Sequence, residues 1–344
     1  MAEKMSVEEK LELIKRNTEE ILGEEDIRDI LKKRDLKVYI GSETSGRPHV
    51  GYFVWMIKVA DLLNAGCEVQ ILLADLHAHL NDMKSPFELL DKRVKYYSAA
   101  FKLGLESMGA DTSKLKFVKG SDFQLGKKYC LDVFKMSSLA SVHDCSKAIS
   151  EVVRQNKNPK LGGYLYPILQ ALDEQYLDVD MQMGGLDQRK ILVFAREYLS
   201  KLGYKPRIEF MTPMVPGLAE GGKMSSSVES SKIDFLDDEK TVNDKVNKAY
   251  CLEGDPNNGI LGFLKYVIMV IKKDHKEKFS IKRPEKFGGN VDYDNYNAIE
   301  KDFIDKKLHP MDLKTAFAKE INVLLKDFRK QKSKLDLLVK EAYK

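Results

Sequence analysis

Short apolar runs alternate with longer amphipathic stretches over roughly the first 200 residues, the period-2 and period-3.6 signals that separate strands from helices. "LKVYIG" (36–41) reads as a strand, and "HVGYFVWMIKVADLLNAG" (49–66) as a helix stopped by Gly66. "CEVQILLADL" (67–76) is almost wholly apolar, as a strand covered on both faces must be. A helix over 86–109, a strand over 114–120 and helices over about 127–155 and 165–176 follow. "DVDMQMGG" (178–185) reads as a strand ending in two glycines, then the helix "DQRKILVFAREYLSKLG", then a last strand, "RIEFMTPM" (207–214).

This alternation predicts an α/β fold, a Rossmann-type parallel sheet with helices on both faces and an inserted helical segment. Ligands of such sheets sit beyond the carboxyl ends of the strands. From about 233 the pattern changes to helical segments at 240–250, 259–273, 296–306 and 312–343. The chain therefore divides at "SKIDFLDD" into a catalytic-type domain, 1–232, and a mainly α-helical domain, 233–344.

Composition adds limits. Hydrophobic residues at 43% and charged residues at 32% of 344 suit two globular domains with real cores. No run of about 18 apolar residues suggests a membrane span. The start, "MAEKMSVEEKLELIKR", is charged and amphipathic, without the apolar centre of a secretory signal. Cys67, Cys130, Cys145 and Cys251 form no C-x-x-C pair, so neither a zinc site nor a disulfide framework is expected, and the cytoplasm is the expected compartment. Net charge is +4, but residues 265–344 carry 20 Lys and Arg against 13 Asp and Glu. That basic end fits an anionic partner such as RNA, or a solvated helix surface.

Four stretches carry chemistry. "YIGSETSGRPHVGYF" ends the first strand in small residues and leads to His49 at a helix start, where free N–H groups favour an anion. In "YLYPILQALDEQY", Tyr166, Gln170 and Asp173 fall at i, i+4 and i+7 on one helix face, while Leu165, Ile168, Leu172 and Tyr176 form an apolar stripe on another. "GGLDQRK" places Gly184, Gly185, Asp187 and Gln188 at a later strand end, where an acid binds ribose hydroxyls or simply caps a helix. "GGKMSSSVES" (221–230) puts Lys223 beside Ser225, Ser226 and Ser227 without P-loop spacing. Any one of them has a plain structural explanation; the combination is far more specific.

Together these residues resemble the class I aminoacyl-tRNA synthetases, and among them the tyrosyl enzymes of eukaryotes and archaea. "RPHVGYF" is similar to the HIGH motif and "KMSSS" to KMSKS. The likeness extends over "ADLHAHLNDMKSP", "KGSDFQL", "YPILQALDEQYLDVDMQMGGLDQRKI", "KRPEKFGGN" and "LHPMDLK". It implies that Tyr39 and Asp173 bind the phenol hydroxyl of L-tyrosine, with Gly41, Tyr166, Gln170 and Gln188 around the rest of the amino acid. It implies that Gly46, His49, Gly51, Gly185 and Asp187 contact ATP, and that Lys223, Met224 and the three serines form a loop over the departing pyrophosphate. Phe287, His309, Met311 and Asp312 would read the anticodon of tRNA(Tyr), and Arg189 and Lys190 would approach its acceptor stem. A homodimer joined through about 85–160 is implied as well, with no DNA or membrane partner.

Such a reaction needs charge placed where it develops in the transition state. This sequence has Tyr52 for the second His of HIGH and Ser226 for the second Lys of KMSKS, so Mg²⁺ and a monovalent cation are expected to carry more of the neutralisation. No residue set for a protein-bound metal is expected, nor the extra C-terminal module of some animal members. The tryptophanyl enzyme, a catalytically inactive RNA-binding paralogue and a small-molecule nucleotidyltransferase are the alternatives.

Overall fold

The computed structural model describes residues 5–153, 158–221 and 232–344. Its main sheet has the order β1-β6-β5-β2-β3-β4, built from β1 (Glu20–Leu22), β2 (Lys37–Glu43), β3 (Glu68–Ala74), β4 (Leu115–Lys119), β5 (Met181–Gly185) and β6 (Ile208–Thr212). The pairs β2–β3, β3–β4, β2–β5 and β5–β6 are parallel, while the short edge strand β1 runs antiparallel to β6. The chain leaves β2 toward β3 and β4, then returns to β5 on its other side. The carboxyl ends of β2 and β5 therefore flank the switch point where α/β sheets bind ligands.

Period-2 alternation decides what each face meets. Val38, Ile40, Val69, Ile71, Met183 and Phe210 enter one core with Phe53, Met56 and Phe101 from the helices Phe53–Asn64 and Leu90–Ser107. On the other face the register aligns Gln70, Tyr39, Gln182 and Glu209 as a polar row. Helix Leu161–Tyr176 follows on that side, with Leu177 and Val179 packed around Tyr39. Gly66, at φ +86°, ends helix Phe53–Asn64 as the sequence implied.

The helices expected after 233 are Glu239–Lys248, Gly259–Phe263, Met269–Asp274, Tyr296–Ile304 and Pro310–Leu324, with Lys326–Lys330 and Lys332–Ala342 completing the end. A π-helical turn, Leu264–Ile268, links the second to the third. The single stretch expected over 312–343 is thus three helices, which bend so that Phe328 and Leu335 both reach the core. An antiparallel hairpin, β7 (Phe279–Ile281) with β8 (Val291–Tyr293), interrupts them. One hydrophobic core continues from Ile14 through the sheet to Phe317, Phe328 and Ala342, so the two regions share their interior. The 85–160 segment supplies a core helix and β4 before the helices Lys127–Leu139 and Val142–Ile149. Among the described residues no helix is long and apolar enough to cross a membrane. The four cysteines are free.

Candidate active site

A cavity of about 400 Å³ opens at the ends of β2 and β5, lined by Tyr39, Gly41, His49, Gly51, Tyr166, Gln170, Asp173, Gly185, Asp187 and Gln188. Its floor is polar and buried. Asp173 is fully buried; its Oδ1 accepts from Gln124 Nε2 at 2.7 Å and from the Tyr129 hydroxyl at 2.9 Å. Its Oδ2 has no hydrogen-bond partner, and His77 Nε2 lies 3.8 Å away. Burial raises the Asp173 carboxyl to about 8, against the hydrogen bonds from Gln124 and Tyr129, and lowers His77 to about 4. A neutral histidine supplies no counter-charge, so the carboxyl stands in want of a partner from the cavity. The Tyr39 hydroxyl, fully buried on the same face, donates to the Gln170 carbonyl at 3.2 Å and feels the Asp173 charge. Burial pushes its pKa well above the ordinary phenol value.

The helix face expected to be polar is so for this reason. Tyr166, Gln170 and Asp173 point into the cavity, while Ile168 and Leu172 are buried in a second core and Leu165 and Tyr176 pack against it. The Tyr166 hydroxyl donates to Glu43 Oε1 at 2.9 Å, and Asn81 Nδ2 donates to the same oxygen at 2.7 Å. Gln170 Nε2 donates to Gln188 Oε1 at 3.0 Å. These interlocked groups leave the Tyr166 oxygen and the Gln170 carbonyl-type oxygen as acceptors for a cationic amine.

The other end of the cavity is built around His49. Its ring caps the short turn Val50–Tyr52, Nδ1 accepting from the Gly51 N–H at 3.2 Å. Burial, then the charge of Lys232, lowers its pKa to about 3. His49 is therefore neutral, and with Nδ1 accepting, Nε2 carries the proton and is the donor. It is a cap and a wall residue at once. Tyr52, at the second histidine position of the motif, lies edge-on to the His49 ring at 4.9 Å and packs it without adding charge. Trp55 completes this wall, half-buried between Tyr52 and Phe101. The segment around 233–234 is bonded to the same turn: Val50 N–H donates to the Ile233 carbonyl at 2.9 Å, and Arg47 pairs with buried Asp234 at 2.8 Å.

At the end of β5 a Cβ on Gly185 would stand 2.6 Å from Asp187 Oδ1 and 3.1 Å from Met214 Sδ. Both atoms end flexible side chains, so a Cβ there would push Asp187 and Met214 aside and take up cavity space. A Cβ on Gly41 would meet only the Tyr39 ring, at 3.9 Å, and would occupy cavity space. Gly46 is not in the wall; its carbonyl accepts from Tyr97 and Tyr343. Lys223, Met224, Ser225, Ser226 and Ser227 lie outside the described residues.

The profile of the tRNA synthetases class I (W and Y) matches residues 31–326. The chain is 50% identical to the cytoplasmic tyrosine–tRNA ligase of Saccharomyces cerevisiae, over 93% of this chain and 83% of that one. The crystal structure of tyrosyl-tRNA synthetase with L-tyrosine from Archaeoglobus fulgidus superposes with a TM-score of 0.86 at 40% identity, over 95% of this chain and 99% of that one. The chain belongs to the class I tyrosyl-tRNA synthetases. The cytoplasmic tyrosine–tRNA ligase of Danio rerio is 53% identical over all of this chain, which spans 64% of that relative's length. The chain spans 61–64% of the length of the vertebrate relatives.

Outside the cavity the chain brings the two stretches expected to meet the anticodon toward each other. Arg283 donates to the Gly289 carbonyl at 2.8 Å and to the Lys307 carbonyl at 2.9 Å, tying the turn that carries Phe287 to the approach to His309. Phe287, His309 and Met311 are exposed and Asp312 is half-buried. His309 Nδ1 accepts from the Met311 N–H at 3.2 Å, capping helix Pro310–Leu324. Arg189 is paired in a fork with Glu20, and Lys190 reaches Glu151 at 2.7 Å and Ser150 Oγ at 3.0 Å, so RNA would have to replace these partners. Gln124, Tyr129, His77, Glu43 and Asn81 were not singled out by the sequence. Gln124, His77 and Asn81 fall inside the resembling stretches, but nothing in their spacing marks them as buried.

Proposed function

We propose that the chain joins L-tyrosine to ATP, giving tyrosyl-adenylate and pyrophosphate, and then passes the tyrosyl group to the 3′ end of tRNA(Tyr) in the cytoplasm. The observation that carries this reading is the buried, unpartnered Oδ2 of Asp173 beside the Tyr39 hydroxyl. A phenol supplies both a donor and an acceptor there. Phenylalanine leaves the buried Asp173 Oδ2 unpaired at about 1–3 kcal/mol, a discrimination of roughly five- to 150-fold from that atom alone. Indole offers an N–H donor and no acceptor.

With the phenol at that floor, Tyr166, Gln170 and Gln188 receive the ammonium, and the carboxylate is left toward His49. A carboxylate oxygen attacks the α-phosphorus, and the bond to the β-phosphate breaks. Neutral His49 donates from Nε2 to the phosphates without a competing proton equilibrium. Gly185 gives the ribose access and Asp187 accepts from its hydroxyls, while Lys223 and the serines meet the leaving pyrophosphate. In the second step a ribose hydroxyl of the tRNA attacks the acyl carbon and AMP leaves. Among the described residues no group of three or more His, Cys, Asp or Glu could hold a metal ion. Mg²⁺ would accompany ATP and neutralise charge on its phosphates.

Exposed Phe287, His309 and Met311 on the basic C-terminal region suit the anticodon. Leu125, Leu131, Phe134, Leu139 and Val142 are all exposed on the 85–160 segment, which suits burial in a homodimer interface. Pyrophosphate exchange into ATP, run with tyrosine, tryptophan and phenylalanine in turn, tests the first step. Exchange with tyrosine alone is expected. Exchange with tryptophan instead, or with none by a folded chain, overturns the reading.

A further inference from the structure

The turn Thr44–Gly46 leads from β2 to His49, and its carbonyls are held by side chains from two distant helices. Arg93 Nη1 donates to the Ser45 carbonyl at 2.5 Å and the Lys84 carbonyl at 3.0 Å, while its Nε donates to the Ala342 carbonyl at 3.1 Å. Ala342 is the last residue of helix Lys332–Ala342, whose terminal carbonyls have no partner within the helix. The Gly46 carbonyl accepts twice, from the Tyr97 hydroxyl and, at 2.8 Å, from the Tyr343 hydroxyl, 297 residues away in sequence. Two donors occupy both lone pairs of that oxygen. The Tyr343 ring is seated separately, 4.7 Å beneath the Arg93 guanidinium and edge-on to Tyr96 at 6.0 Å.

We propose that Tyr343 is a positioning residue for the ATP end of the site. Ring and hydroxyl have different work. The ring packs the C-terminal helix against helix Leu90–Ser107. The hydroxyl reaches past it to a carbonyl three residues before His49, and so sets where the Nε2 donor stands. Tyr39 is held within β2 by both neighbouring strands and Asp173 stands on helix Leu161–Tyr176, so the floor of the amino-acid end does not hang on this contact. The inference rests on the adenylation reading above. It makes the seating of the chain's last helix a condition for binding ATP well.

The test is Tyr343→Phe in the full chain, which keeps the ring and removes one hydroxyl. The KM for ATP in pyrophosphate exchange is expected to rise roughly three- to tenfold, the reach of one neutral hydrogen bond. The KM for tyrosine and the melting temperature stay unchanged, and deuterium uptake by the peptide spanning 44–51 quickens. In Tyr97→Phe with Tyr343→Phe the effect exceeds the sum of the singles, because only the pair leaves the Gly46 carbonyl bare. An unchanged KM for ATP overturns the proposal, as does an equal rise in both KM values with a lower melting temperature. A wild-type chain that exchanges with no amino acid counts against the adenylation reading alone, and uptake at 44–51 then decides the anchoring.

Discussion

Asp173 concentrates the demands of the site in one side chain. Its carboxyl ionises near 8 in the folded protein and near 4 when unfolded, so between those values the unfolded chain binds fewer protons. Stability contributed at this residue therefore falls as pH rises from 4 to 8. Asp173→Asn removes that slope and stabilises the empty protein by about 1–3 kcal/mol at pH 8, read by urea denaturation. Asp173→Ala weakens tyrosine about ten- to a hundredfold in exchange assays and ATP hardly at all; equal losses would contradict the phenol site. His49 has the opposite sign. Its folded value of about 3 lies below the unfolded 6.5, so its contribution is complete above 6.5 and declines as pH falls. His49→Asn should lessen the loss of stability between pH 6.5 and 5 by about one proton's slope, roughly 1.4 kcal/mol per unit. Denaturant titrations across that range check it. Tyr166, Gln170 and Asp173 were legible because helical spacing puts them on one face. Gln124 and Tyr129 were not, since only tertiary folding brings their donors to Asp173.

At the scale of elements the long periodic segments stood out in the sequence, and the short ones did not. β2, β3 and the helices Phe53–Asn64 and Leu161–Tyr176 carry enough repeats to declare their period. The three-residue strand β1, the helix Glu25–Leu31 and the β7–β8 hairpin are too short to do so. Helix Leu161–Tyr176 tolerates Pro167 in its second turn, where burial against neighbouring helices outweighs the lost backbone bond. Helix Gly259–Phe263 depends on its first residue. A Cβ there would stand 2.3 Å from the Gly217 carbonyl oxygen and 2.7 Å from that of Pro216, backbone atoms that cannot turn aside. Gly259→Ala should cost about 1–3 kcal/mol in chemical denaturation, by forcing this helix off the 215–217 segment.

For the whole molecule, the division into two regions is real in the sequence pattern and absent from the core. The first helix, Val7–Lys15, joins both through the residue after it. Arg16 bonds Asp61, which is 1% exposed, and Asp274 on the helical side at 2.6 Å. Removing it in Arg16→Ala strips a buried carboxylate of its guanidinium while Lys58 remains 3.3 Å away. A loss of about 3 kcal/mol follows, and the two regions should still melt in a single transition when followed by far-UV circular dichroism. Separate transitions would show that the shared interior does not couple them.

Trp55 is the chain's single tryptophan, and it stands in the wall of the cavity. Nature has thereby placed one lamp in the molecule, at the place where occupancy matters. Excited at the red edge of its band, where tyrosine is dark, its emission reports each filling and emptying of the site without a dye, in real time.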